Sequence, residues 1–182
     1  MNKKTLALTD EQYETIITVL KEGYENHEPN ERIAVILVLE ANLGLRISDI
    51  LTLRKSSFVK DGNRYRLDIK EEKTGKVRTF TVPDVIYNYV MKYAKGDAKI
   101  FEISERRVQK ALQDVCKYLD YEGVSTHSFR KYFATSIYIN NDYNIQLVSK
   151  LLQHSSVAIT QRYIGIQQKD VENALQKHIK LI

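Results

Sequence analysis

The chain has 182 residues, 43% hydrophobic and 28% charged, with one cysteine and a formal net charge of +5. That length and balance suit a single globular domain over residues 1–182 with a buried core, and they exclude a fibrous or disordered chain. One cysteine excludes an internal disulfide and a thiolate metal cluster; with Leu112, Val115 and Leu119 at helical spacing, Cys116 reads as a small buried residue. The longest apolar run, Ile33 to Leu39, is too short to span a bilayer. The N-terminus carries no signal-peptide pattern, so a cytoplasmic location is expected.

Charge is unevenly distributed. Residues 1–44 hold 4 Lys/Arg against 8 Asp/Glu, whereas residues 45–182 hold 24 against 15. A basic region beside an acidic one points to a polyanion-binding face, with nucleic acid the leading partner.

In chain order, Thr9-Asp10-Glu11-Gln12 has the form of a capping box opening an amphipathic helix to about Tyr24. Asn30 caps a second helix, nearly apolar along Ile33–Leu39, that ends near Gly44, and a shorter helix carries Arg46 to Leu53. The period then changes to two. Tyr65, Leu67 and Ile69 alternate with Arg64, Arg66, Asp68 and Lys70, as in a half-exposed strand. Asp61-Gly62 offers a turn before it and Lys73-Thr74-Gly75-Lys76 one after it, with Val77 to Val82 returning. Pro83 suits the first turn of the next helix, whose Val85, Ile86, Tyr89, Val90 and Tyr93 share a face. Helices are predicted at 104–119, 126–140, 144–152, 156–163 and 167–179. The expected fold class is mainly α with a small antiparallel β-sheet of two or three strands.

Several residues have the chemistry of a phosphate site. His127 and Arg130 lie three apart, on one face of a helix, and Thr126 before them is a plausible N-cap. Free N–H groups in that first turn favour an anion. Gly44 can end one helix where Arg46 begins the next, and Asp49, one turn on, is expected to orient the Arg46 guanidinium. Lys73 lies at a hairpin turn, from which an ammonium can protonate a leaving oxygen. His154 and Tyr163 are nine apart, so one continuous helix would set them on opposite sides. Ser155 and Ser156 are good N-caps that break the chain between them, and Gly165 ends the second helix just beyond Tyr163. Each fragment alone is equally compatible with a solvated or packing role.

Taken together and in order, GLRISDIL, EEKTGKVRTFTVP, HSFRKYFAT and LLQHSSVAITQRYIG resemble the motifs of the tyrosine recombinase (phage integrase) catalytic domain, over about residues 9 to 179. Two departures stand out: Gln153 occupies a position where the family commonly has glycine, and Lys131-Tyr132 replaces a frequent His-Thr.

The resemblance implies that Tyr163 attacks the scissile phosphate, leaving a 3′-phosphotyrosine and a free 5′-hydroxyl. It implies that Arg46, Arg130 and His154 hold the non-bridging oxygens, that Lys73 is the general acid, with Lys70 and Lys76 as nearby alternatives, and that His127 assists proton transfer at Tyr163. No metal or other cofactor is required on this reading, because basic groups neutralise the phosphate. The implied partners are double-stranded DNA and further copies of the chain in a tetramer, with residues 167–182 exchanged between subunits. The family's helical core-binding domain is not within this sequence. The competing readings are a type IB topoisomerase-like enzyme and a catalytically silent DNA-binding module of the same fold.

Overall fold

A computed structural model of the protein describes residues 5–164 and 175–178. The described chain divides into two compact units, the first ending at Phe133 and the second beginning at Ala134, inside one helix.

The first unit begins with α1 (Asp10–Glu22), which opens with the expected reciprocal capping box between Thr9 and Gln12. Helix α2 (Glu31–Leu43) starts at Asn30, whose side chain accepts from the Ile33 N–H. Ile33 to Leu37, Leu39, Ala41 and Leu43 are all buried, so α2 is the axis of the core rather than an amphipathic surface helix. Helix α2 stops at Gly44 in the left-handed region, φ 56°. A Cβ there would stand 2.4 Å from the Phe133 ring, so both conformation and space call for glycine.

The predicted helix from Arg46 to Leu53 is shorter than expected: α3 covers Ile47–Ile50 only, with Arg46 extended at its N-cap. After a 3-10 turn at Lys55–Ser57, three antiparallel strands follow, β1 (Phe58–Asp61), β2 (Arg64–Lys70) and β3 (Val77–Val82), in the order β1-β2-β3. The alternation of β2 puts Leu67 and Ile69 in the core. The register sets Ile69 opposite Arg78 and Leu67 opposite Phe80. Directly opposed residues share a sheet face, so Arg78 is carried to the buried side while Val77 is 71% exposed.

Helix α4 (Asp84–Met91) begins after Pro83, as expected, and buries Val90. Val85 is the exception to its predicted face, at 72% exposure: Ile86, Tyr89 and Val90 turn inward and leave it outside that stripe. Helix α5 (Glu105–Tyr118) packs against α1 and buries Val108, Leu112, Val115 and Cys116. Helix α6 (Thr126–Asn140) crosses the division between units, and its first half buries Phe129 and Arg130 in the first.

The second unit holds the rest of α6, then α7 (Ile145–Leu152) and α8 (Val157–Ile164), which pack on each other. Val148, Leu152 and Thr160 are buried there. Gly165 and most of the predicted 167–179 helix lie outside the described residues, of which 175–178 are helical. The fold class is therefore mainly α with a small three-stranded antiparallel sheet.

Gly44→Ala should destabilise the protein by at least about 2 kcal/mol, combining left-handed strain with overpacking against Phe133. A urea midpoint unchanged from the parent protein would contradict this assignment.

Candidate active site

The first unit gathers Arg46, Lys73, His127 and Arg130. Arg130 is carried by the second turn of α6 and is 1% exposed. Its Nη1 donates to the carbonyl of Gly44, at the end of α2. Arg78 reaches the same place from β3, donating to Gly44 O at 3.2 Å and Leu43 O at 3.1 Å, with its guanidinium 4.6 Å from the Phe80 ring centre. The last carbonyls of a helix have no partners within it and carry partial negative charge, so they suit buried guanidiniums. Burial and then the neighbouring Arg130 charge bring Arg78 down to about 10.

Arg46, at the N-cap of α3, has a side chain 21% exposed. It pairs with Asp49 as expected, at 3.9 Å, and more closely with Glu71, whose Oε2 lies 2.7 Å from Arg46 Nη1. Asp49 also accepts from the Glu72 backbone N–H at 2.9 Å. Burial raises the Asp49 carboxyl above its usual value, with the backbone hydrogen bond and the Arg46 and Arg130 charges opposing. At Glu71 burial also works against the charged form, but hydrogen bonds from Thr74 and Arg46, with the charges of Arg46 and Arg130, outweigh it and hold the group low. Glu40, 1% exposed within α2, is raised well above the carboxylate range by burial, against the pull of Arg130.

Lys73 is exposed in the β2–β3 turn. Lys70 ends β2 and Lys76 immediately precedes β3, and Lys73 is the hairpin lysine whose charge bears on His127. Thr126 is the first helical residue of α6 rather than its cap, and the turn is closed by Ser128, whose Oγ accepts from the Ser125 N–H at 3.1 Å. His127 is lowered to about 4, by desolvation first and then by Arg130, Lys131, Arg46 and Lys73. The four cations act in the same direction, and the imidazole is neutral at neutral pH. Lys131 and Tyr132, which depart from the resembled motif, hold the segment before and at the start of α1: Lys131 Nζ donates to Thr5 O at 2.6 Å, and the Tyr132 hydroxyl donates to Asp10 at 2.8 Å.

The second unit carries His154 and Tyr163. The expected break falls between α7 and α8, and Gln153 makes the turn in the left-handed region, φ 53°. That backbone suits glycine better than glutamine. His154 Nδ1 is 2.9 Å from Thr160 Oγ1, and its ring meets that of Tyr163 edge-on at 5.3 Å. The break thus brings together two side chains that an unbroken helix would separate. Among the described residues, no group of three or more His, Cys, Asp or Glu is arranged to hold a metal ion, and no helix is long and apolar enough to cross a membrane.

Sequence reasoning did not single out Glu40, Glu71 or Arg78. For Arg78 a signal existed, since it alternates with Thr79 in phase with Phe80 and Val82 on one face of β3.

The sequence profile of the Phage integrase family matches residues 7–170. The chain is 32% identical over 150 residues to the probable integrase/recombinase YoeC of Bacillus subtilis (strain 168), covering 76% of this chain and 80% of that protein. It is 27% identical to tyrosine recombinase XerA of Pyrococcus furiosus, covering 96% of this chain and 63% of that one. Among solved structures, the catalytic domain of bacteriophage HP1 integrase superposes with a TM-score of 0.67 at 20% identity, over 96% of both chains. XerH recombinase in a post-cleavage complex with palindromic difH substrate superposes with a TM-score of 0.72 at 18% identity, over 96% of this chain and 54% of that one.

Stability should fall as pH drops from about 6.5 to 4, because the unfolded chain takes up a proton at His127 before the folded chain does. His127→Gln should flatten that part of the profile. An unfolding curve with the same slope in both proteins, or an NMR titration of His127 near 6.5, would contradict the depressed value.

Proposed function

The chain belongs to the phage integrase family, and on that premise we propose that it is the catalytic domain of a tyrosine recombinase that cuts and rejoins double-stranded DNA without metal. The observation that carries this reading is a set of held cations in the first unit, with Arg130 on the Gly44 carbonyl, Arg46 on Glu71, and the Lys73 turn tied to that same carboxylate through Thr74. Three cations so held suit a phosphodiester, whose developing charge needs donors already in position.

In the proposed reaction, the Tyr163 oxygen bonds to the scissile phosphorus and the bond from phosphorus to the 5′-oxygen breaks. The phenolic proton passes to His127, whose neutral form is the one able to take it. Lys73 gives a proton to the departing 5′-oxygen. Arg46, Arg130 and His154 donate to the non-bridging oxygens. The product is a 3′-phosphotyrosine and a free 5′-hydroxyl. Attack by the 5′-hydroxyl of another strand reverses each transfer and releases Tyr163, so the bond energy is kept throughout and no nucleotide cofactor is consumed. Asp49 steadies the α3 and hairpin backbone through Glu72 and pairs with Arg46 at 3.9 Å.

The chain spans 63% of the XerA relative and 54% of the XerH structure, both longer proteins. The activity of a complete recombinase is therefore proposed here: exchange by a tetramer on two duplexes, with the 167–182 segment lent between subunits, in the cytoplasm where such DNA is reached. XerH was solved on its DNA substrate, which supports DNA as the partner of this chain as well.

The test is covalent capture. Wild-type protein is mixed, in EDTA, with a randomised pool of nicked duplexes, and denaturation-resistant adducts are collected and sequenced. Wild type should form the adduct. Arg46→Ala and Arg130→Ala should slow it about 100- to 1000-fold while salt-sensitive DNA binding persists. Strict dependence on Mg²⁺ would overturn the mechanism, and relaxation of supercoils without strand exchange would redirect it to a topoisomerase-like enzyme.

A further inference from the structure

Glu71 stands at the base of the β2–β3 turn and is 1% exposed, although the turn residues that follow it are exposed. Its Oε2 lies 2.7 Å from Arg46 Nη1 and accepts from the Thr74 hydroxyl at 2.7 Å. Thr74 is the neighbour of Lys73. One carboxylate oxygen therefore touches both the helix junction that carries Arg46 and the turn that carries Lys73.

The backbone on either side reinforces this link. The Glu71 N–H donates to Lys76 O at 2.9 Å and its carbonyl accepts from Gly75 N at 2.8 Å, which closes the turn upon itself. The Glu72 N–H donates to Asp49 at 2.9 Å, which ties the same turn to α3 one helical turn beyond Arg46. The turn is thus fastened to the Arg46 segment at two adjacent residues, and the Glu71 carboxylate is the fastening that also sets the guanidinium. An arginine held by one carboxylate keeps its remaining N–H groups in a fixed plane, the arrangement needed for paired bonds to a phosphate. The shared oxygen means that any movement of the hairpin tip is felt at Arg46, and the reverse.

We infer that Glu71 is a positioning residue that couples the Arg46 guanidinium to the Lys73 hairpin through the Thr74 hydroxyl, so that the charge-stabilising and proton-donating groups take their places together. The inference rests on the recombinase reading for its consequences in cleavage, but the coupling itself belongs to the free protein. Replacing Glu71 with a neutral group leaves Arg46 with Asp49 at 3.9 Å as its remaining acidic partner.

The experiment uses Glu71→Gln and Thr74→Val with the duplex captured by wild type, synthesised with either oxygen or sulfur at the 5′-bridging position of the scissile phosphate. A thiolate leaves without a proton donor, so sulfur removes the need for a well-placed Lys73 and keeps the need for Arg46. Thr74→Val should cleave the oxygen substrate about tenfold slower and recover the wild-type rate with sulfur. Glu71→Gln should lose about 100-fold on oxygen and recover only in part with sulfur, because Arg46 is also released. Wild-type rates in both folded variants on oxygen would overturn the inference. So would a loss in Glu71→Gln that sulfur leaves untouched while Thr74→Val cleaves normally, since Glu71 would then serve Arg46 alone. If Glu71→Gln does not fold, Thr74→Val carries the test. If wild type captures no duplex, the recombinase reading fails separately, and coupling is read by NMR in the free protein. Faster solvent exchange of the Arg46 guanidinium protons in Thr74→Val upholds it, and unchanged exchange overturns it.

Discussion

The carbonyl of Gly44 is the point on which the first unit depends. It ends α2, the helix whose residues form the axis of the core, and accepts from Arg130 and Arg78, which arrive from α6 and β3. A helix C-terminus buried in a core must find donors for its last carbonyls, and two guanidiniums supply them here. In return, the negative end of the α2 dipole offsets part of the cost of burying two positive charges. Only glycine meets the demand, because the chain turns left-handed there and the Phe133 ring occupies the space of a side chain. One backbone position thus fixes the end of α2, the depth of Arg130 and the face of β3.

Three arginines around this point, Arg46, Arg78 and Arg130, stand with three buried acids, Glu40, Asp49 and Glu71. Breaking a buried pair leaves an uncompensated charge, so each acid is worth more for orienting its arginine than for net stability. The acids differ in state. Thr74 and Arg46 hold Glu71 in its charged form, whereas burial pushes Glu40 far towards protonation. The cationic side of the network faces His127 and lowers it. An anion arriving there meets donors already oriented by the protein interior, with little rearrangement left for the moment of reaction.

The parts of this arrangement visible in the sequence were those set by local rules. The capping box at Thr9, the cap at Asn30, the left-handed stop at Gly44, the period-two alternation of β2 and the serine break after His154 each depend on residues a few positions apart. They fell where local chemistry puts them. The misses have a common cause in distance along the chain. Glu71 reaches Arg46 because the hairpin folds back on α3, a closer contact than the one to Asp49, one turn away, which local spacing gives. The α3 helix is shorter than expected because its chain must turn towards the sheet soon after Ile50. Val85 matches an apolar stripe by spacing, but α4 turns Ile86, Tyr89 and Val90 inward, stacks Tyr87 on Tyr65 of β2, and leaves Val85 outside. Arg78 shows how register decides burial: pairing with Ile69 sends an arginine inward and Val77 out. Lys131 and Tyr132, which looked like departures from a motif, anchor Thr5 and Asp10 to α6.

The central claim is that one tyrosine among twelve is the nucleophile and that it bonds to a 3′-phosphate. The most direct measurement is mass spectrometry of the adduct after nuclease and trypsin digestion. Cleavage after Arg162 releases a short peptide beginning at Tyr163, well separated in mass from those holding the other tyrosines. The account predicts nucleotide attached to Tyr163 through its 3′-phosphate. A nucleotide on any other tyrosine, or one joined through a 5′-phosphate, would contradict it.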